Sequence, residues 1–333
     1  MTNATQLGSI GDLALQHGGI LRGAELAYVT YGRLAADGRN AVLLTHGYTS
    51  SHLFAEGGTS DGSWSALVGP GLAIDTDRYF VVSSNMLGSS YGSTGPRSID
   101  PATGRAYGRE FPRLTVADIV GAQRRLLDRL GVRELVAVIG PSYGGFQAFT
   151  WGVEYPDFAR ALVPVTTGLT VGRAIDVAAL DARLGLEPDG SDAMIGALTA
   201  LREATLRHYG IEAVLATRAP DSDDATRAAA VTALARGWAE VFHPYSLVVL
   251  GAAANELDVR PSLARLRARV LFVLSSSDAL FPPTLAAPVM AALHAAGADA
   301  TYHELDSPYG HLAPGLDAAR WAPVLARFLA ELG

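Results

Sequence analysis

Leu135-Val136-Ala137-Val138-Ile139-Gly140-Pro141-Ser142-Tyr143-Gly144-Gly145 is an apolar, β-branched run that breaks into a turn dense in glycine, and Phe146–Glu154 follows it with a helical pattern. A short apolar run bounded by glycine and proline reads as a buried strand. Glycines two residues before and after Ser142 allow a turn so tight that the serine projects alone above the end of that strand. Two blander readings compete: an incidental serine in a glycine-rich turn, and a dinucleotide-binding loop. The second lacks the required G-x-G-x-x-G spacing.

Working outward, similar runs recur at Ala41–Thr45, Tyr79–Ser84, Ala161–Thr166, Val270–Ser275 and Thr301–Leu305. Helical patterns lie between several of them, notably Thr115–Leu130 and Pro283–Ala296. Strands alternating with helices predict a mostly parallel sheet covered on both faces. Glu25–Tyr31 alternates more and predicts an antiparallel strand near the N-terminal edge. Between residues 170 and 260 alanine, leucine and charged residues dominate, as in Ala193–Tyr209 and Asp224–Val241, and no strand stands out before Leu247. Residues 1–169 and 261–333 therefore read as one catalytic domain, and 170–260 as a helical insertion. Such an insertion either caps the site or packs away from it. Neither an internal repeat nor an extended low-complexity linker is present.

A serine hydroxyl is a poor nucleophile near neutral pH and needs a base, itself oriented by an acid. For a serine on such a turn the acid and then the histidine follow in chain order. Asp278 stands just after Val270–Ser277, and Thr301–Leu305 is followed by Asp306-Ser307-Pro308-Tyr309-Gly310-His311. Thirty-three residues separate Asp278 from His311, room for one helix and one strand. Both would emerge at the same sheet edge as Ser142. His294 and His303 fall inside a helix and a strand, His208 and His243 in the insertion, and Asp306 is the nearest rival acid. An oxyanion needs N–H donors. The backbone N–H groups of Tyr143 and of Tyr48, in His46-Gly47-Tyr48-Thr49 after Ala41–Thr45, are the candidates. Only the main chain of Tyr48 is required, so its ring has no necessary task. His46 reads as a residue that shapes this loop.

Composition narrows the function classes. The chain has 333 residues, 49% hydrophobic and 18% charged, enough to bury a large core. With 26 basic and 33 acidic residues the net charge is −7, which gives no reason to expect nucleic acid or an anionic membrane as partner. The absence of cysteine excludes disulfides, thiolate metal sites and a cysteine nucleophile. Met1–Gly19 lacks a basic start with a long apolar run, and Leu247–Ala254 falls short of the roughly 20 residues a membrane span needs. A cytoplasmic protein is the expectation.

At this point the residues resemble the homoserine O-acetyltransferases and their relatives of the α/β-hydrolase fold. Carrying the resemblance are Gly69-Pro70-Gly71, Asp75-Thr76-Asp77-Arg78-Tyr79-Phe80 and Ser84-Asn85-Met86-Leu87-Gly88. Gly92-Ser93-Thr94-Gly95-Pro96, Ser98-Ile99-Asp100-Pro101, and Phe111-Pro112 with Thr115, Asp118 and Gln123 add to it, as does Ser277-Asp278-Ala279-Leu280-Phe281-Pro282-Pro283. The resemblance spans about residues 28–155 and 258–311. It implies double displacement without a metal or resident cofactor: an acyl group passes from a donor such as acetyl-coenzyme A to Ser142, then to an acceptor hydroxyl. It also implies dimerisation through the helical insertion, as relatives often do. The histidine loop departs from the family. Where the family resembles Gly-His-Asp-Ala-Phe and uses that Asp to hold the substrate's amino group, this chain has Gly310-His311-Leu312-Ala313-Pro314. The arginine and tyrosine that the family's insertion supplies have no counterpart assignable from sequence. The expectation is an O-acyltransferase for an acceptor other than homoserine. The alternatives are an ester or thioester hydrolase with the same triad, and a binding protein without catalysis.

Overall fold

The computed structural model describes residues 4–56, 63–184 and 190–333. Eight strands form one sheet: β1 (Gln6–Ala14), β2 (Ile20–Tyr31), β3 (Ala41–Thr45), β4 (Phe80–Ser84), β5 (Leu135–Pro141), β6 (Ala159–Val165), β7 (Arg269–Ser275) and β8 (Ala300–Leu305). Their order is β1-β2-β4-β3-β5-β6-β7-β8. Only the β1–β2 and β2–β4 pairs are antiparallel. From β4 to β8 the strands run parallel, so the ends of β3, β5, β7 and β8 share one edge.

Around the sheet stand α1 (Val116–Arg129), α2 (Tyr143–Glu154), α8 (Ala286–Ala295) and α9 (Ala318–Ala330). Between β6 and β7 lie α3 (Val177–Leu184), α4 (Asp192–His208), α5 (Ile211–Arg218), α6 (Asp224–Ala239) and α7 (Pro244–Asn255). Every residue of β3 is buried, as a strand covered on both faces requires. Ile119, Leu126, Phe149, Trp151 and Leu293 of α1, α2 and α8 fill one core, and Trp321, Leu325 and Phe328 of α9 fill the other with Phe54 and Trp64. A reciprocal capping box fixes the start of α1: Thr115 Oγ1 accepts from Asp118 N–H and Asp118 accepts from Thr115 N–H.

The parallel strands expected from sequence appear within a residue or two, while β2 begins five residues before the expected Glu25 and is antiparallel as its alternation predicts. The sequence reading did not foresee β1. Its nine residues include Gly8 and Gly11, its register slips on either side of Gly11 (φ +71°), and Leu7 points outward. A bulged edge strand of this kind carries no clean period of two. The insertion has its own apolar clusters, one around Leu198, Trp238 and Phe242 and another around Leu206, Ile211, Val214 and Val231. A bridge between Thr170 and Asp258 closes its base.

Candidate active site

Ser142 directly follows β5 with φ 55° and ψ −119°, a conformation that side-chain-bearing residues rarely adopt. Close packing of Thr45 and Thr167 against the neighbouring glycines holds it there. A Cβ at Gly140 would lie 2.1 Å from Thr45 Oγ1, one at Gly144 2.2 Å from Thr45 O, and one at Gly145 2.3 Å from Thr167 Cγ2. The Ser142 N–H donates to Val165 O at 2.8 Å, and Thr167 Oγ1 donates to Ser142 O at 2.8 Å. The turn is thus clamped by β3 and β6, and α2 begins at the next residue. Its N-terminal N–H groups and dipole favour negative charge at this end.

Asp278 and His311 arrive on the loops after β7 and β8. The His311 Nδ1–H donates to Asp278 Oδ2 at 2.8 Å, both groups being buried. A carboxylate only accepts, so Nδ1 carries a proton, and in the neutral ring it is Nε2 that has the lone pair. Asp278 Oδ1 accepts from the N–H groups of Leu280 (2.8 Å) and Phe281 (3.2 Å). Burial opposes the Asp278 charge, but His311 and these two N–H groups outweigh it and hold the carboxyl below its ordinary range. The His311 ring lies between Tyr209, centroid 4.7 Å away, and Phe281, 5.8 Å away. Asp306, the rival acid, is exposed and among the described residues reaches only Ser276 Oγ, at 3.4 Å.

A cleft of about 460 Å³, open mouth included, brings Ser142 and His311 together with Gly47, Tyr48, Tyr209 and Leu312. Neither the Tyr48 nor the Tyr143 N–H donates to another described atom. The two rings stack at 5.8 Å, and both phenols reach into the insertion: Tyr48 donates to Leu247 O and Tyr143 to Leu250 O. The Tyr48 ring therefore has a task that the sequence did not assign it, tethering α7 to the loop after β3.

Two further residues of the insertion stand here. Arg202, 1% exposed, donates from Nη1 to Thr49 Oγ1 at 2.8 Å and lies over the Trp238 ring. Burial pulls its pKa down to about 10. Tyr209 covers His311, and its carbonyl accepts the His311 N–H at 3.0 Å. Trp238 Nε1 donates to Thr49 O at 3.0 Å, so two insertion side chains grip the residue after Tyr48. The sequence did carry a signal: Met194, Leu198, Arg202 and Leu206 form one buried stripe at spacing four on α4. An arginine inside an apolar stripe marks a buried polar contact. Leu312 is buried against Leu206, Tyr209 and Ile211 and forms one wall of the cleft. Among the described residues no cluster of three or more His, Asp or Glu side chains has the arrangement to hold a metal ion, and no helix is long and apolar enough to cross a membrane.

Comparison with known proteins gives the same outline. A family model for the α/β hydrolase fold matches residues 40–317. Homoserine O-acetyltransferase of Geobacter sulfurreducens is 36% identical, the alignment covering 96% of this chain and 95% of that protein. The crystal structure of esterase E22 superposes with a TM-score of 0.84 at 25% identity, over 98% of this chain and 99% of that one. Homoserine O-acetyltransferase from Bacillus anthracis superposes equally well, TM-score 0.84 over 99% and 98% of the two chains, at 23% identity.

Proposed function

Since the chain belongs to the homoserine O-acetyltransferase family of the α/β-hydrolase superfamily, whose members here include acyltransferases and esterases, we propose that it moves an acyl group through Ser142 to an acceptor hydroxyl without an ammonium group nearby. In this reading Ser142 Oγ attacks the carbonyl of an ester or thioester such as an acyl-coenzyme A, and its proton passes to His311 Nε2. The oxyanion forms against Tyr48 N–H and Tyr143 N–H. Collapse expels the thiol or alcohol, which takes the proton from His311. The acceptor hydroxyl then gives its proton to His311 and attacks the acyl-serine. Asp278 holds the imidazole in the required tautomer and stabilises its positive charge.

The observation that carries the choice of acceptor is Leu312. It stands beside the proposed base, buried in an apolar cluster where the family's amine-binding Asp would be. An unpaired ammonium in a dehydrated pocket costs several kcal/mol. Homoserine should therefore bind poorly. A second reading, hydrolysis with water as acceptor, draws support from the same apolar wall and from the likeness to an esterase. One assay separates them. The enzyme is mixed with acetyl-coenzyme A or p-nitrophenyl acetate, alone and with homoserine or simple alcohols, and both leaving group and acylated product are followed. Alcohol-dependent ester formation supports transfer, and release unaffected by alcohols supports hydrolysis. Efficient O-acetylhomoserine formation overturns the acceptor argument. Turnover retained by Ser142→Ala overturns the acyl-serine.

A further inference from the structure

Resting on the reading that the acyl-serine oxyanion sits between Tyr48 N–H and Tyr143 N–H, we propose that His46 is a positioning residue that aims the Tyr48 N–H by holding the Gly47 carbonyl. His46 follows β3 and is fully buried. Its Nε2 is 3.1 Å from the Met86 N–H, which can only donate, so Nε2 carries a lone pair and the ring proton resides on Nδ1. That Nδ1–H donates to Gly47 O at 2.8 Å. Burial, opposed by the Gly47 bond, pulls the ring's pKa down to about 4 and keeps it neutral. With both ring nitrogens engaged, His46 is not available as a base.

The C=O of Gly47 and the N–H of Tyr48 belong to one planar peptide unit and point in opposite directions. Fixing the carbonyl therefore fixes the N–H. The Ser50 N–H reaches the same oxygen at 3.2 Å, a longer bond than the imidazole makes. His46 is also pinned from its other side. Its carbonyl accepts from Gln147 Nε2 at 3.2 Å, Gln147 Oε1 accepts from Gln123 Nε2 at 2.7 Å, and Gln123 Oε1 accepts from Trp151 Nε1 at 2.8 Å. Gln147 and Tyr143 are one turn apart on α2, so a single helix registers both proposed donors.

The two ring nitrogens are separable by substitution. In His46→Asn the side-chain amide stands where Nδ1 stood and donates to Gly47 O. In His46→Gln the amide oxygen stands where Nε2 stood, so the Met86 contact survives and the Gly47 contact is lost. Steady-state hydrolysis of p-nitrophenyl acetate and the rate of fluorophosphonate labelling are measured on the full chain. Losing an oxyanion donor costs about 10²–10³ in kcat, so His46→Gln should lose about 10² with KM within about twofold, while His46→Asn stays within about fivefold of the parent. Equal activity of the two variants, or a loss confined to KM, overturns the proposal. A parent enzyme that neither labels nor turns over refutes the acyl-serine itself and the proposal with it, whereas a reactive parent with indistinguishable variants refutes the role of His46 alone. Should both variants melt below the assay temperature, the assigned ¹⁵N spectrum of the parent's His46 decides. An Nδ1–H tautomer supports the proposal, and an Nε2–H tautomer ends it.

Discussion

The turn around Ser142 and the helices from Val177 to Asn255 meet over one cleft but are built on opposite terms. At the turn, Thr45 and Thr167 approach so closely that Gly140, Gly144 and Gly145 have no room for a single further carbon. In the insertion, Gly196 and Gly237 face open space, and contact with the site is made mostly by side chains, Arg202 and Trp238 on Thr49 and Tyr209 on His311, beside one main-chain bond from the His311 N–H to Tyr209 O. Backbone geometry places Ser142, and side-chain packing shapes what it faces. The first leaves almost no room at its glycines, while the second leaves room for variation in the side chains that face the cleft.

The strongest way to break this contrast is at the acid. Asp278→Asn should lower turnover by about 10⁴, because an amide favours the wrong histidine tautomer while leaving the shape intact. Asp306→Asn should change it by less than about twofold, since an exposed carboxylate 3.4 Å from Ser276 Oγ stabilises little. Turnover of an acetyl ester by both variants is the measurement. A mild Asp278→Asn with a damaging Asp306→Asn would mean that the acid has been misassigned.

That Ser142, His311 and Asp278 were legible in the sequence, and Arg202 and Tyr209 were not, has the same physical origin. Each residue of the first group sits just past a strand, in a turn whose glycines or prolines are forced by backbone conformation, as at Gly310 with φ +56°. Constraints of that kind are local and print themselves at fixed offsets. Arg202 shows locally only as a polar residue in an apolar stripe; that it and Tyr209 face the site depends on α4 packing on α6 and on Gly210 lying against the Tyr309 carbonyl, facts of tertiary packing. The Tyr48 phenol was missed for the same reason, its partner Leu247 being 199 residues away. Edge strand β1 escaped because its bulge at Gly11 spoils the alternation.

A second test acts on the turn itself. Gly144→Ala places a methyl group 2.2 Å from Thr45 O and 2.8 Å from Thr45 C, backbone atoms of a fully buried strand that cannot step aside. The same substitution strains the Thr45 Oγ1–H bond to Gly144 O, 2.9 Å in the parent. Overpacking of this kind costs about 3 kcal/mol, which a urea midpoint reports directly. A near-neutral result would show that the elbow relaxes more readily than its contacts imply and would weaken the claim that close packing against its glycines fixes Ser142.

The smallest effect has the opposite sign and belongs to the insertion. Gly196 lies within α4 and Gly237 within α6, and neither would bring a Cβ within 4 Å of another group. Alanine at each should therefore stabilise the chain by about 0.5–1 kcal/mol, because it restricts the unfolded backbone and meets no obstacle in the folded one. Urea midpoints should rise for both single variants and nearly add in the double variant, since the two glycines are on separate helices. Turnover of an acetyl ester should stay within about twofold of the parent, the change lying in a region that shapes the cleft through Arg202, Tyr209 and Trp238 rather than through its glycines. A fall in stability at either position would mean that the open face of that helix is covered in solution, and sedimentation of the parent would then reveal a second copy seated on it. Such an outcome would redraw the contrast between turn and insertion, because the insertion too would contain backbone that another chain approaches closely.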